Sequence, residues 1–266
     1  MTDLPQLPEP VLDADPSRRE IRLEIEVPGT PEEVWAAIAT GPGISSWYVP
    51  HTVEERTGGT ATASFGPGPE MQIEGRVHAW EPPRRIVFGG ERLEDGLAFE
   101  WLVEAREGGT CVVRLVNSGF GDGQPWDDQY DDMVGGWRLF LRNLWLHRTF
   151  FPGRQAVAAL PMASWPVAGE EAWSRLAAGA GLPLRSRPGE RVAASGAGVP
   201  PLAGTVVEAG PTTLTLLLDE PAPGTAFVAA EGQAVSVWAY LYGDQAAERA
   251  AAHQEAWQAW LASAAD

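Results

Sequence analysis

This sequence predicts an α+β protein: a curved antiparallel sheet packed on one long C-terminal helix, followed by a second, smaller unit of the same kind. Three observations carry that reading. Strand-like alternation opens at Glu20 and returns between Val53 and Asn117 in segments of roughly 6–10 residues, each bounded by turn residues. A long amphipathic helical pattern then runs from about Trp126 to Phe151. Finally, the signposts of the first half recur in the second half in the same order.

Residues 1–19 are rich in proline and acid ahead of any periodic pattern, and they read as a flexible leader. In the following segment Ile21, Leu23, Ile25 and Val27 alternate with Arg22, Glu24 and Glu26, which marks a half-buried strand. Thr30-Pro31-Glu32-Glu33 combines an N-cap, a proline at the first helical position and a capping-box glutamate. The helix it starts carries Val34, Trp35 and Ile38 inward and stops near Gly41-Pro42-Gly43, with a short helical turn through Ile44–Tyr48. Gly58-Gly59, Gly66-Pro67-Gly68, Pro82-Pro83, Asp95-Gly96 and Gly108-Gly109 then punctuate an antiparallel meander. Along the long helix, Tyr130, Met133, Trp137, Leu141, Leu144 and Arg148 recur at three- and four-residue steps, flanked by Phe140 and His147. Such a helix must lay its apolar face on something, and the sheet is the available partner.

The second half reads as a worn copy. Glu32-Glu33-Val34-Trp35, Ile38-Ala39, Gly41 and Gly43-Ile44 match Glu170-Glu171-Ala172-Trp173, Leu176-Ala177, Gly179 and Gly181-Leu182 at a constant offset of 138. Gly75, Val77 and Pro82 correspond to Gly204, Val206 and Pro211, and Phe120-Gly121-Asp122 to Tyr242-Gly243-Asp244. Trp137, Phe140 and Leu141 correspond to Trp257, Trp260 and Leu261. Pro152-Gly153 and Pro161 interrupt the pattern between Phe151 and Trp165, so the expected domains are 20–155 and a reduced copy over 160–266.

Composition excludes several function classes. The 266 residues carry 36 acidic and 19 basic side chains, a net charge of −17. Every basic residue is arginine, which excludes a Schiff-base lysine and a P-loop lysine. The acidity argues against nucleic acid or an anionic membrane as partner. Cys111 is the single cysteine and has no internal disulfide partner. No apolar run approaches ~20 residues and the start lacks the parts of a signal peptide, so a cytoplasmic location is expected.

Candidate chemistry is sparse. His51, His78, His147 and His253 are isolated, without the paired spacing of a metal site. Strand parity puts His78 with Glu74 and Arg76 on the solvent face, opposite Ile73 and Val77. Asp127, Asp128, Asp131 and Asp132 occupy the first turns of the long helix, where they complement its dipole. Cys111, Val113, Leu115 and Asn117 share a strand face, the thiol as a small buried hydrophobe. At the end of that face Asn117 is either a structural amide or a polar contact for a ligand.

Thr30-Pro31-Glu32-Glu33-Val34-Trp35, Trp47, Gly75-Arg76-Val77, Glu81-Pro82-Pro83-Arg84-Arg85, Gly109-Thr110, Ser118-Gly119-Phe120 and Gly136-Trp137 occur in an order that resembles the SRPBCC superfamily. These are START-like, helix-grip proteins, and the resemblance, over about residues 20–150, is to the branch named after an activator of heat-shock-protein ATPase. It implies a seven-stranded antiparallel sheet gripping the long helix, with a cavity between them, and the internal repeat then makes the second domain helix-grip-like too. Trp47, Tyr48, Phe65, Trp101, Met133 and Trp137 would then converge on the cavity, either lining it or filling it, and Leu141 is expected among its ligand-binding residues. Asn117, Tyr48 and Tyr130 would supply polar contacts. No cofactor, metal or catalytic residue is implied. The fold serves lipid carriers, polyketide cyclases, self-resistance proteins and chaperone activators. The leading expectation is therefore binding of a small apolar or aromatic molecule. A cyclase, dehydratase or hydrolase using the same cavity is the second, and an interaction or co-chaperone-like scaffold, in a homodimer or chaperone contact, the third.

Overall fold

A computed structural model describes residues 8–12, 20–66, 68–120 and 124–265, with the backbone alone at 95, 124–129, 131 and 132. The chain divides into two compact units, Pro8–Gln155 and one that contains Ala156–Asp266.

In the first unit, β1 (Val11–Leu12) and β2 (Ile21–Pro28) are followed by α1 (Pro31–Ala39) and α2 (Gly41–Ser45). Strands β3 (His51–Val53), β4 (Thr60–Ser64), β5 (Gln72–Glu81), β6 (Arg85–Gly89), β7 (Ala98–Arg106) and β8 (Thr110–Ser118) come next, then α3 (Gln124–Phe150). The eight strands form one antiparallel sheet in the order β1-β2-β8-β7-β6-β5-β4-β3. This is the helix-grip fold, with one strand more than the seven implied, because Val11 and Leu12 of the supposed leader pair with Glu24 and Leu23. Residues 1–7 and 13–19 of that leader lie outside the described residues.

Local signals set these elements. The Thr30 hydroxyl accepts from the Glu33 N–H at 3.3 Å, and the Glu33 carboxylate accepts from the Thr30 N–H at 3.0 Å. Thr40 closes α1 and caps α2, its hydroxyl accepting from the Gly43 N–H at 3.1 Å. Ile21, Leu23, Ile25 and Val27 are all buried, as their alternation requires. So is the facing row Cys111, Val113, Leu115 and Asn117 on β8. Burial pushes the Cys111 thiol up, away from thiolate chemistry. Helix α3 lies chiefly over β2, not over the middle of the sheet. That offset leaves a space under the inner face of β4 to β7, bordered by side chains of α1, α2 and α3.

The second unit repeats the order in shortened form. Strands β9 (Ala156–Ala159) and β10 (Met162–Ser164) precede α4 (Gly169–Ala180). Then follow β11 (Arg191–Ala193), β12 (Ala203–Ala209), β13 (Thr213–Glu220), β14 (Gly224–Glu231), β15 (Ala234–Tyr242) and α5 (Ala246–Ser263). Its sheet runs β10-β15-β14-β13-β12-β11, with β9 also on β15. Trp165, Trp173 and Trp257 pack with Leu176, Leu216, Val228 and Leu261 in one apolar core.

The two units share a backbone detail. The pairing register shifts between Val77 and Ala79 on β5 and between Val206 and Glu208 on β12, positions that the sequence repeat aligns. At each bulge the valine is held from a glycine turn. The Gly58 N–H donates to the Val77 carbonyl at 2.7 Å, and the Val77 N–H to the Gly59 carbonyl at 2.8 Å. In the second unit the Gly189 N–H donates to the Val206 carbonyl, and the Val206 N–H to the Glu190 carbonyl, both at 2.8 Å. A Cβ on Gly75 would stand 2.5 Å from the Gly89 carbonyl oxygen, and one on Gly204 2.3 Å from that of Leu217. Glycine is needed at both because the neighbouring strand passes too close for a side chain.

Candidate functional site

The space left beside α3 is a cavity of about 450 Å3, lined by side chains of α1, α2, the sheet from β4 to β7, and Met133 and Trp137 of α3. Its walls are built by aromatic contacts. Trp47 meets Trp101 edge-on at 5.6 Å between ring centroids, and Trp101 meets Trp137 edge-on at 5.5 Å. Tyr48 stands 4.9 Å from Trp137, 4.5 Å from Phe140 and 6.0 Å from Phe65. Such edge-to-face arrays hold each ring in one orientation.

Backbone anchors fix the same rings. The Trp47 indole donates to the Ala37 carbonyl at 2.9 Å, and the Trp47 carbonyl accepts from the Asn143 amide at 2.9 Å. The tryptophan is thus tied to α1 and α3 at once. Phe99 and Trp101 reach the cavity from one face of β7 because side chains alternate along a strand.

Polar groups on the lining are few. Burial holds the Tyr48 phenol well above its ordinary range, so it stays protonated. His51 is pushed down to about 4, mainly by burial. Its Nδ1 lies 2.8 Å from the Val49 carbonyl oxygen, which only accepts, so Nδ1 carries the proton. The His51 and Tyr48 rings are 5.4 Å apart. Glu74 and Arg76 also border the cavity, Arg76 pairing with Glu91 at 2.8 Å in solvent. Among the described residues no group of His, Cys, Asp and Glu is arranged to hold a metal ion.

Of the residues singled out from sequence, Trp47, Tyr48, Phe65, Trp101, Met133 and Trp137 line this cavity. Asn117, Tyr130 and Leu141 do not. The Asn117 amide donates to the Ala98 carbonyl at 3.0 Å, beside Ile21 of β2, on the side that α3 covers. Tyr130 packs on Phe120 at 5.3 Å and reaches the Glu20 carbonyl at 3.4 Å. Leu141 is fully buried in the helix–sheet core. The polar contacts expected of Asn117 and Tyr130 are therefore corrected: both amide and phenol serve the β2 side.

His78, at the bulge of β5, is half-buried with Nε2 2.8 Å from the Gly90 carbonyl, near the exposed Glu91 and Glu94. His147 is buried away from the cavity, pushed down to about 4 by burial and by Arg148. His253 is buried in the second unit, Nε2 3.1 Å from the Val237 carbonyl. The four aspartates fall in the first turns of α3, and their side chains lie outside those described. Sequence reasoning missed His51, Phe88 and Phe99. The parity of β7, which pairs Phe99 with Trp101, was the available signal for Phe99; nothing in the sequence marks His51.

Residues 28–145 match the family described as Activator of Hsp90 ATPase homolog 1-like protein, so the first unit is of the kind its motifs resemble. No curated protein matches the chain. Among solved structures, the Aha1 dimer from Colwellia psychrerythraea is 20% identical, covering 50% of this chain and 98% of that one, with a TM-score of 0.42. CalU16 from Micromonospora echinospora is 20% identical over 55% of this chain and 86% of that one, with a TM-score of 0.42. The di-domain ARO/CYC BexL from the BE-7585A biosynthetic pathway is 17% identical over 93% and 96%, again with a TM-score of 0.42. None of the described helices is long and apolar enough to cross a membrane.

Proposed function

We propose that the first unit binds a small apolar, aromatic molecule in the cavity between its sheet and α3. One observation carries the reading: a cavity of about 450 Å3 that keeps open space although three tryptophans, a tyrosine and three phenylalanines border it. Volume and lining are those of a small-molecule site, apolar walls with few polar groups to orient the ligand. The second unit we read as a reduced internal copy, on the shared bulge and glycine turn.

Native mass spectrometry of protein purified from its own host, with a denatured control, tests this directly. A non-covalent adduct lost on denaturation is the expected result. Trp137→Ala in folded protein should weaken binding of an aromatic probe about tenfold or more, since it removes a buried aromatic anchor. Unchanged affinity would move the ligand out of this cavity.

A cyclase-like or hydrolytic enzyme in the same cavity is favoured by one specific observation, the neighbouring Tyr48 and His51, a proton donor and a neutral imidazole. Turnover of a polyketide-like substrate that vanishes with Tyr48→Phe would establish it. A bare mass together with ligand-independent self-association or chaperone capture would favour the scaffold reading instead.

A further inference from the structure

We infer that the ligand carries a hydroxyl on its aromatic ring system, and that this O–H donates to Nε2 of His51. The inference rests on the ligand-binding reading above. Val49 engages Nδ1 at 2.8 Å and fixes the tautomer, so the only ring nitrogen left to meet a ligand is Nε2, a lone pair. Among the described residues Nε2 has no hydrogen-bond partner.

The surroundings make that lone pair selective. Within the aromatic array His51 packs against Tyr48, which in turn touches Trp47, Phe65, Trp137 and Phe140. The charged groups of the lining, Glu74 and Arg76, stand on β5, and Arg76 is already engaged by Glu91. An acceptor in an apolar wall is costly to strip of water unless the incoming molecule brings a donor. A site of this kind therefore separates a hydroxylated ring from its unsubstituted or capped counterpart. Tyr48, also a lining residue, carries a hydroxyl of the complementary kind, a donor for an oxygen of the same ligand. Ligands of this class are phenols and enols fused to aromatic rings.

Three probes of one ring system test the assignment by titration calorimetry on the full chain: 2-naphthol, 2-methoxynaphthalene and naphthalene. The expected result is 2-naphthol binding about three- to tenfold tighter than its methyl ether, the range of one hydrogen bond. His51→Phe, which keeps a ring and removes the lone pair, should bring that ratio close to one. Equal affinity for all three probes in the unmodified protein overturns the inference and leaves the ligand-binding reading standing. A ratio that persists in His51→Phe assigns the hydroxyl elsewhere and also overturns it. No binding of any probe overturns both. Should His51→Phe fail to fold, the 15N resonance of Nε2 in the unmodified protein decides. It should move upfield with 2-naphthol and stay in place with the ether; an unmoved resonance in both overturns the assignment.

Discussion

The two units share a chain order, a β-bulge and a glycine turn, yet one holds a cavity and the other a core packed around its tryptophans. The two units also differ in one connection. Between α1 and the Gly58-Gly59 turn the first unit spends residues 40–57, which form α2 and β3 and deliver Ile44, Trp47, Tyr48 and His51 to the cavity. Between α4 and the Gly189-Glu190 turn the second unit has only residues 181–188, with neither element. Trp257, which the sequence repeat aligns with Trp137, is fully buried in the apolar core of the second unit. The second unit packs its sheet and helices through one apolar core. The first unit's cavity takes four of its lining residues from this connection.

Truncating the two equivalent tryptophans should separate the units most. Trp257→Ala is expected to cost about 3–5 kcal/mol, the range for a buried aromatic in a filled core. Trp137→Ala should fall at or below the lower end, since the cavity already leaves one side of its ring without partner atoms. Urea unfolding followed by peptide-resolved hydrogen exchange reads each unit separately; a larger cost for Trp137→Ala would break the comparison.

Acid should also act unequally. His51 and His147 in the first unit and His253 in the second are each pushed down to about 4 by burial. A depressed histidine pKa means that the unfolded chain takes up a proton which the folded one refuses between about pH 6.5 and 4. Stability is then full above about 6.5 and falls on acidification through that window, by about 1.4 kcal/mol per pKa unit for each group. With two such groups against one, the first unit should lose protection earlier between pH 7 and 5. Equal loss would show that burial of these rings is not the controlling term.

The matched glycines give a symmetrical test. Gly75→Ala and Gly204→Ala each drive a Cβ against a neighbouring strand's carbonyl, and each should cost about 1–3 kcal/mol. Thermal midpoints measured side by side should fall together; a tolerated alanine at one position would argue against equivalence of the bulges. The smallest effect belongs to the helix starts. Thr30→Ala removes a capping box worth about 1 kcal/mol, whereas α4 begins at Ala168 with no side-chain cap. Ala168→Gly should therefore shift the unfolding midpoint much less than Thr30→Ala.

Local patterns alone determined a good deal here. The alternation in Ile21–Val27, the Thr30 capping box and the apolar repeat along α3 are short-range signals, and each fixed an element within a residue or two. The recurring signposts led to the expectation of a second unit, and six of the nine side chains named for the cavity line it. Tertiary structure decided the rest. Whether tryptophans fill a space or border it depends on the summed volumes of elements distant in sequence, which no local pattern encodes. Where α3 settles across the sheet removed Asn117, Tyr130 and Leu141 from the cavity. His51 became a candidate only through the Val49 carbonyl and the ring of Tyr48, because an imidazole acquires its proton arrangement and its role from what surrounds it.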